Sequence, residues 1–227
     1  MDKLEYWFLD TAVEMVIGLS WVIPDEKYGT LGINRAPLNL TVTKIADMLH
    51  SLFQQGDLLV TTPSDLNDFG FTRGFTPSYT DIKAALEGQF PLFYFLIPQG
   101  GVRWESVSRP KWEWYFKWVE GTEPIDEGDL ACANRELAEK LLALCHLLSS
   151  GNCHSYLIAG TEVWERLTPW QPTYWKTLPV GYRVRYQRSS IEIDELSEQS
   201  LELIESEKQA KAWYASLRKW YINYFKE

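Results

Sequence analysis

Apolar and polar positions divide the chain into a first half of helices and short strands and a second half crowded with rings. Over residues 11–23, Val13, Val16, Ile17, Ser20 and Trp21 share one helical face, which Met15, Leu19 and Ile23 widen. Thr11 and Glu14 have capping-box spacing, so the pattern predicts a buried helix from Thr11 that Pro24 ends. Residues 24–40, with Pro24, Gly29, Gly32, Arg35 and Pro37, read as a loop. Val42, Ile45, Ala46, Leu49, Leu52 and Phe53 repeat at helical spacing and predict a helix over 41–55, capped by Thr41 or Asn39 and closed by Gly56. Its outward face carries Lys44, Asp47, His50, Gln54 and Gln55, close to neutral. Residues 57–62 read as a strand. Pro77 opens a third helix that buries Ile82, Ala85 and Leu86, and residues 91–97 form a second strand. Pro98 then suits a first helical turn, while Gly100 and Gly101 permit close backbone approach.

In the second half, residues 109–120 place rings on nearly every face, as either a packing bridge or a ring-lined binding surface. Residues 121–128 read as a linker. A helix is predicted over 129–149, with Leu130, Ala133, Leu137, Leu141, Leu144, Cys145 and Leu148 on its apolar face. Then come a strand (154–159), a short helix (161–167) and a Pro-framed loop holding Trp170, Tyr174 and Trp175. Residues 182–186 alternate at period two, a strand with Arg183 and Arg185 on its solvated face. Residues 192–226 read as one long helix or a broken pair, acidic first and basic later. Its stripe of Trp213, Leu217, Trp220, Tyr221 and Tyr224 either docks on the body or binds a partner.

Helix 41–55, Gly56, the two strands and the ending Leu96-Ile97-Pro98-Gln99-Gly100 resemble the second half of a winged-helix module of the MarR/PadR kind, within residues 1–108. The chain departs from that pattern in three places. Ile97 replaces the usual Thr cap, helix 77–87 interrupts the wing, and a Gly/Pro-rich segment stands before residue 41. The resemblance implies that helix 41–55 could enter a major groove, with Lys44, His50 and Arg73 as DNA contacts. That helix lacks the Arg, Lys and Asn density of a base reader.

Charge pulls the same way. A net charge of −9 and a pI of about 5.0 disfavour a general nucleic-acid binder. Aromatics at 15%, with 11 Trp, supply core and interface material. The start MDKLEYWFLD lacks a signal-peptide apolar region, and Ala12–Ile23 is too short to span a bilayer, so no membrane role and a cytoplasmic location are expected. Three Cys make no disulfide framework. Cys145-His146 and Cys153-His154 are metal-ligating types, but adjacent residues diverge and no CxxC is present, so no metal is expected. Glu113, Glu162 and Glu165 stand near rings and read as solvated surface. GxSxG, HExxH and phosphate-loop motifs are absent from the sequence, so no catalytic residue and no cofactor are assigned, and enzymatic activity stays open.

These readings combine into an α+β, bacterial-type protein. A winged-helix-like N-terminal unit (1–120) is expected to pack on an aromatic-rich α/β C-terminal unit (121–227) with a long terminal helix. The leading expectation is a non-enzymatic interaction or regulatory protein that binds a protein partner, of basic chemistry, or a second copy of itself. Trp112, Trp114, Trp213, Trp220 and Tyr224 are the candidate contacts. An immunity-type protein neutralising a basic toxin is one form of this. The alternatives are a winged-helix transcriptional regulator, and an enzyme with a pocket between the units where Arg183 or Arg185 holds an acidic substrate.

Overall fold

The computed structural model describes residues 1–23, 40–67, 70–71, 73–119, 127–148, 153–192 and 201–223. It mixes helices with antiparallel sheets, an α+β fold. The chain forms two compact units. Unit 1 comprises Met1–Arg109, Thr173–Lys176 and Asn223–Glu227, and unit 2 comprises Pro110–Pro172 and Thr177–Ile222.

Unit 1 opens with helix α1 (Lys3–Thr11). Asp2 accepts from the N–H groups of Leu4 and Glu5, and the Glu5 carboxylate accepts from Asp2 N at 3.0 Å. The helix expected over 11–23 is therefore not formed, and Thr11 ends a helix instead of starting one. Its hydroxyl donates to the Phe8 carbonyl and shares a 2.7 Å hydrogen bond with Tyr94. The apolar residues after it serve other geometry: Ile17–Gly18 form strand β1, and Leu19–Val22 a single 3-10 turn. Pairing with a distant strand, Ile17 opposite Tyr94, outweighs the local helical pattern.

Helix α2 (Val42–Gln55) is capped by Thr41 and buries Ile45, Ala46, Leu49, Leu52 and Phe53. Strands β2 (Leu58–Thr61), β3 (Leu66–Asn67) and β4 (Gly70–Phe71) follow. Helix α3 (Tyr79–Leu86) takes Ser78 as its cap, with a capping box to Asp81, so Pro77 stands one residue before the cap and not inside the first turn. Strand β5 (Phe93–Leu96) then leads into α4 (Pro98–Ser108), with Pro98 in its first turn. The sheet order is β1-β5-β2, all antiparallel, with Leu58 opposite Leu96.

Tyr6, Phe8, Leu9, Ile17, Leu49, Leu52, Tyr94 and Trp104 form the core of unit 1, each fully buried. Each such side chain contributes about 1.5–3 kcal/mol relative to exposure. The two glycines of α4 are spatial requirements. A Cβ on Gly100 would lie 2.2 Å from the Asp57 carbonyl oxygen, and one on Gly101 would lie 2.2 Å from the Trp175 ring. Trp175 donates its indole N–H to the Val13 carbonyl at 2.8 Å. Its neighbour Tyr174 donates to the Ala12 carbonyl and accepts from Leu96 N.

Unit 2 is built on strand β10 (Gly181–Glu192). Strands β6 (Phe116–Val119), β7 (Glu127–Cys132), β8 (Cys153–Leu157) and β9 (Val163–Leu167) complete an antiparallel sheet of order β6-β7-β10-β8. β9 and β8 pair with successive lengths of β10. Helices α5 (Arg135–Leu148) and α6 (Leu201–Leu217) pack on each other. Leu130, Cys132, Leu137, Ala138, Leu141, Leu142, Val184, Tyr186 and Leu217 make one apolar cluster.

Two helical expectations fail here. The helix predicted over 129–149 is a strand followed by a helix. Leu130 and Cys132 face the core at strand period, and Asn134 caps α5 by accepting from Leu137 N at 2.7 Å. Residues 163–167 form a strand and not a helix, because they pair with Gly181–Arg185 along β10. The predicted linker lies partly outside the described residues, and its last two, Glu127 and Gly128, begin β7. Residues 24–39 of the stretch predicted as a loop, and residues 193–200 and 224–227 of the stretch predicted as a terminal helix, lie outside them.

Candidate functional site

Three surfaces bear candidate residues. The first is the outward side of α2. Lys44 and Asp47 are exposed on it and His50 is half-buried. α3 packs against α2 and brings Tyr79 over this side. The Tyr79 hydroxyl donates to Asp47 at 2.8 Å, and its ring stands edge-on to His50 with centroids 5.6 Å apart. The bond to the Asp47 carboxylate raises the Tyr79 phenol above its ordinary range. Arg73 is exposed two residues before Phe75, whose backbone exchanges two 2.9 Å hydrogen bonds with Val60.

The second surface is the sheet of unit 1. Period two puts Leu59, Thr61, Phe93 and Phe95 on the face opposite Val60 and Tyr94. Trp21 stands edge-on to Phe93 at 5.6 Å, and Tyr174 edge-on to Phe95 at 6.4 Å. Thr61 is fully buried, and among the described residues its hydroxyl has no hydrogen-bond partner. Large apolar side chains of this unit remain open to water: Trp21 is 43% exposed, Met15 42%, Phe90 38% and Phe75 37%.

The third surface is in unit 2. Trp112 lies against Trp220 with centroids 4.9 Å apart, and Tyr115 meets Trp220 edge-on at 4.8 Å. Lys111 N donates to the Trp220 carbonyl at 2.6 Å, and Trp220 is buried. Trp114 and Trp213 are half-buried against the apolar cluster. Each carries a cation on its outer face, Lys111 over Trp114 at 4.1 Å and Lys140 over Trp213 at 4.3 Å. The structure thus brings Trp112 and Trp220 together, and seats Trp114 and Trp213 separately under their lysines. Tyr224 lies outside the described residues.

On the sheet of unit 2, Arg183 donates through Nε and Nη2 to both oxygens of Asp129. That contact raises the Arg183 pKa further. Arg185 lines a concavity of about 290 Å³ with Glu127, Thr161, Val163, Tyr186 and Gln187. The sequence marked Arg185 as solvated and, with Arg183, as a candidate to hold an acidic substrate; its freedom from Asp129 and the neighbours Glu127 and Gln187 had no sequence signal. The Cys132 thiol is buried, which pushes its pKa far up, and Cys145 is half-buried. Among the described residues no three of His, Cys, Asp and Glu gather as metal ligands, and no helix is long and apolar enough to cross a membrane. Comparison of the chain with protein-family models, with curated proteins and with solved structures found no match.

Proposed function

We propose that this protein is a non-enzymatic interaction protein whose first unit, a winged-helix-like module, recognises a protein partner. The order α1-β1-α2-β2-β5-α4 and the sheet order β1-β5-β2 support the winged-helix reading, with β3, β4 and α3 in the place of the wing. The observation that carries the partner reading is the set of exposed apolar side chains Met15, Trp21, Phe75 and Phe90 in that unit. The net charge of −9 suits a basic protein partner, including a toxin that the protein would neutralise. The free, buried thiol of Cys132 suits a reducing cytoplasm.

The test is capture from host extract followed by reconstitution with the purified captured protein. Trp21→Ser combined with Phe90→Ser is expected to weaken the reconstituted complex about ten-fold or more, as losses at buried aromatic anchors do, with the circular dichroism spectrum unchanged. A double variant that binds as tightly as the wild type overturns the reading, as does the lack of any partner that reconstitutes.

The sheet order also favours a second reading, a DNA-binding regulator using Lys44, His50 and Arg73. Against it, Tyr79 already occupies Asp47 and His50 on the helix that would enter the groove. Salt-sensitive DNA binding lost in Lys44→Ala with Arg73→Ala would establish this second reading.

A further inference from the structure

We infer that unit 2 holds a binding site for a small α-amino acid, with the ligand carboxylate on Arg185 and its ammonium on Glu127. This rests on unit 2 alone and stands apart from the reading of unit 1.

An ion pair that the strand register would allow is not made. Along β10, Arg185 stands directly opposite Asp129 of β7. A cross-strand Arg and Asp in register would ordinarily pair. Here Asp129 is taken by Arg183, two residues away, which occupies both carboxylate oxygens. The Arg185 side chain is left without a hydrogen bond or ion pair among the described residues. Its five N–H donors stay unspent on the rim of the concavity.

The other groups there sort into spent and unspent. Thr161 is spent: its hydroxyl donates to the Ile158 carbonyl at 2.6 Å and accepts from Gln187 N at 3.0 Å. That fixes the wall of the concavity. Glu127 lies opposite Gln187, one same-face step along β7 from Asp129, and forms no ion pair with Arg185. A guanidinium and a carboxylate thus line one concavity without touching. A zwitterion placed between them satisfies both, the guanidinium taking the ligand carboxylate through two parallel N–H donors. The volume of about 290 Å³ limits the ligand to a small molecule. Val163, 57% exposed and opposite Arg185 on β9, offers an apolar surface to its side chain. An aliphatic amino acid fits these three contacts.

The experiment titrates the ¹⁵N-labelled full chain with L-leucine, N-acetyl-L-leucine and L-leucinamide, following the Arg185 side-chain N–H and the Gln187 backbone amide. Expected are saturable shifts with L-leucine, and binding about ten-fold weaker for each blocked form, since each loses one charge-assisted contact. Arg185→Gln is expected to abolish the L-leucine response, and Glu127→Gln to reduce it to the level of the N-acetyl form. Both positions are exposed, so neither variant threatens the fold. No saturable shift with L-leucine, equal binding of all three probes, or unchanged binding in Arg185→Gln overturns the inference.

Discussion

The two units hold themselves together by different chemistry. Unit 1 runs polar ties through its interior. Arg103 of α4 donates to Glu5 of α1 at 2.7 Å, to Gln55 at the end of α2 at 2.6 Å, and to Asp57, whose side chain is only 2% exposed. Asp10 accepts from the Trp104 indole at 2.9 Å and from the Tyr6 hydroxyl at 3.1 Å. Unit 2 has an apolar cluster ringed by half-buried aromatics, several with a Lys or Arg on the outer face. Directional ties fix the register of the helices in unit 1 and fail sharply when one partner goes. Rings under cations tolerate change, because each contact is small and partly hydrated.

The sharpest break of this contrast is Arg103→Ala. It leaves Asp57 buried and uncompensated, so a loss of about 3 kcal/mol or more is expected in urea unfolding. A loss under about 1 kcal/mol, the scale of an exposed pair, would show that the tie in unit 1 is no stronger than the surface contacts of unit 2. Next comes Gly101→Ala, which drives a methyl group into the Trp175 ring and is expected to cost about 1–3 kcal/mol by overpacking. In a Trp175→Ala background the same change should cost less or turn favourable, because the slot is then open and Ala favours helix. Equal costs in both backgrounds would remove Trp175 from the explanation.

Unit 2 responds to pH through Tyr186. Burial pushes its phenol from an ordinary 10.0 up to about 12. The unfolded chain ionises first, so this contribution is fully present below pH 10 and is lost as pH rises through about 12. Tyr186→Phe should flatten that fall in an alkaline unfolding series, and an unchanged slope would assign it to other groups. The smallest expected effect is Lys140→Ala, at about 0.5–1 kcal/mol from the ring of Trp213. A loss comparable to that of Arg103→Ala would erase the contrast between the units.

What the sequence disclosed follows the range of the deciding forces. α2 was legible because its apolar period, Thr41 cap and Gly56 stop are all local. α1 was misplaced because two capping boxes compete, Asp2 with Glu5 and Thr11 with Glu14. The choice is settled by Tyr94, which takes Ile17 into a sheet and bonds Thr11. Leu130 and Cys132 fit either a helix face or a strand face, and pairing with β10 decides between them. At the candidate sites, the solvated placement of Arg185 was legible from alternation. Its missing partner was not, since that depends on which of two arginines Asp129 accepts. Trp21 looked like core at helical spacing; without that helix it stands open to water.

The insertion of Trp175 beside Gly101 carries a consequence for the order of synthesis. Residues 1–109 leave the ribosome well before 173–176 are made. Until then the slot above Gly101 is empty, and the carbonyls of Ala12 and Val13 lack the donors that Tyr174 and Trp175 bring. The first unit to be translated is therefore finished only after most of the second has been made. A nascent chain stalled before residue 173 should expose the Trp104 side of α4 to protease, and one released after residue 176 should protect it.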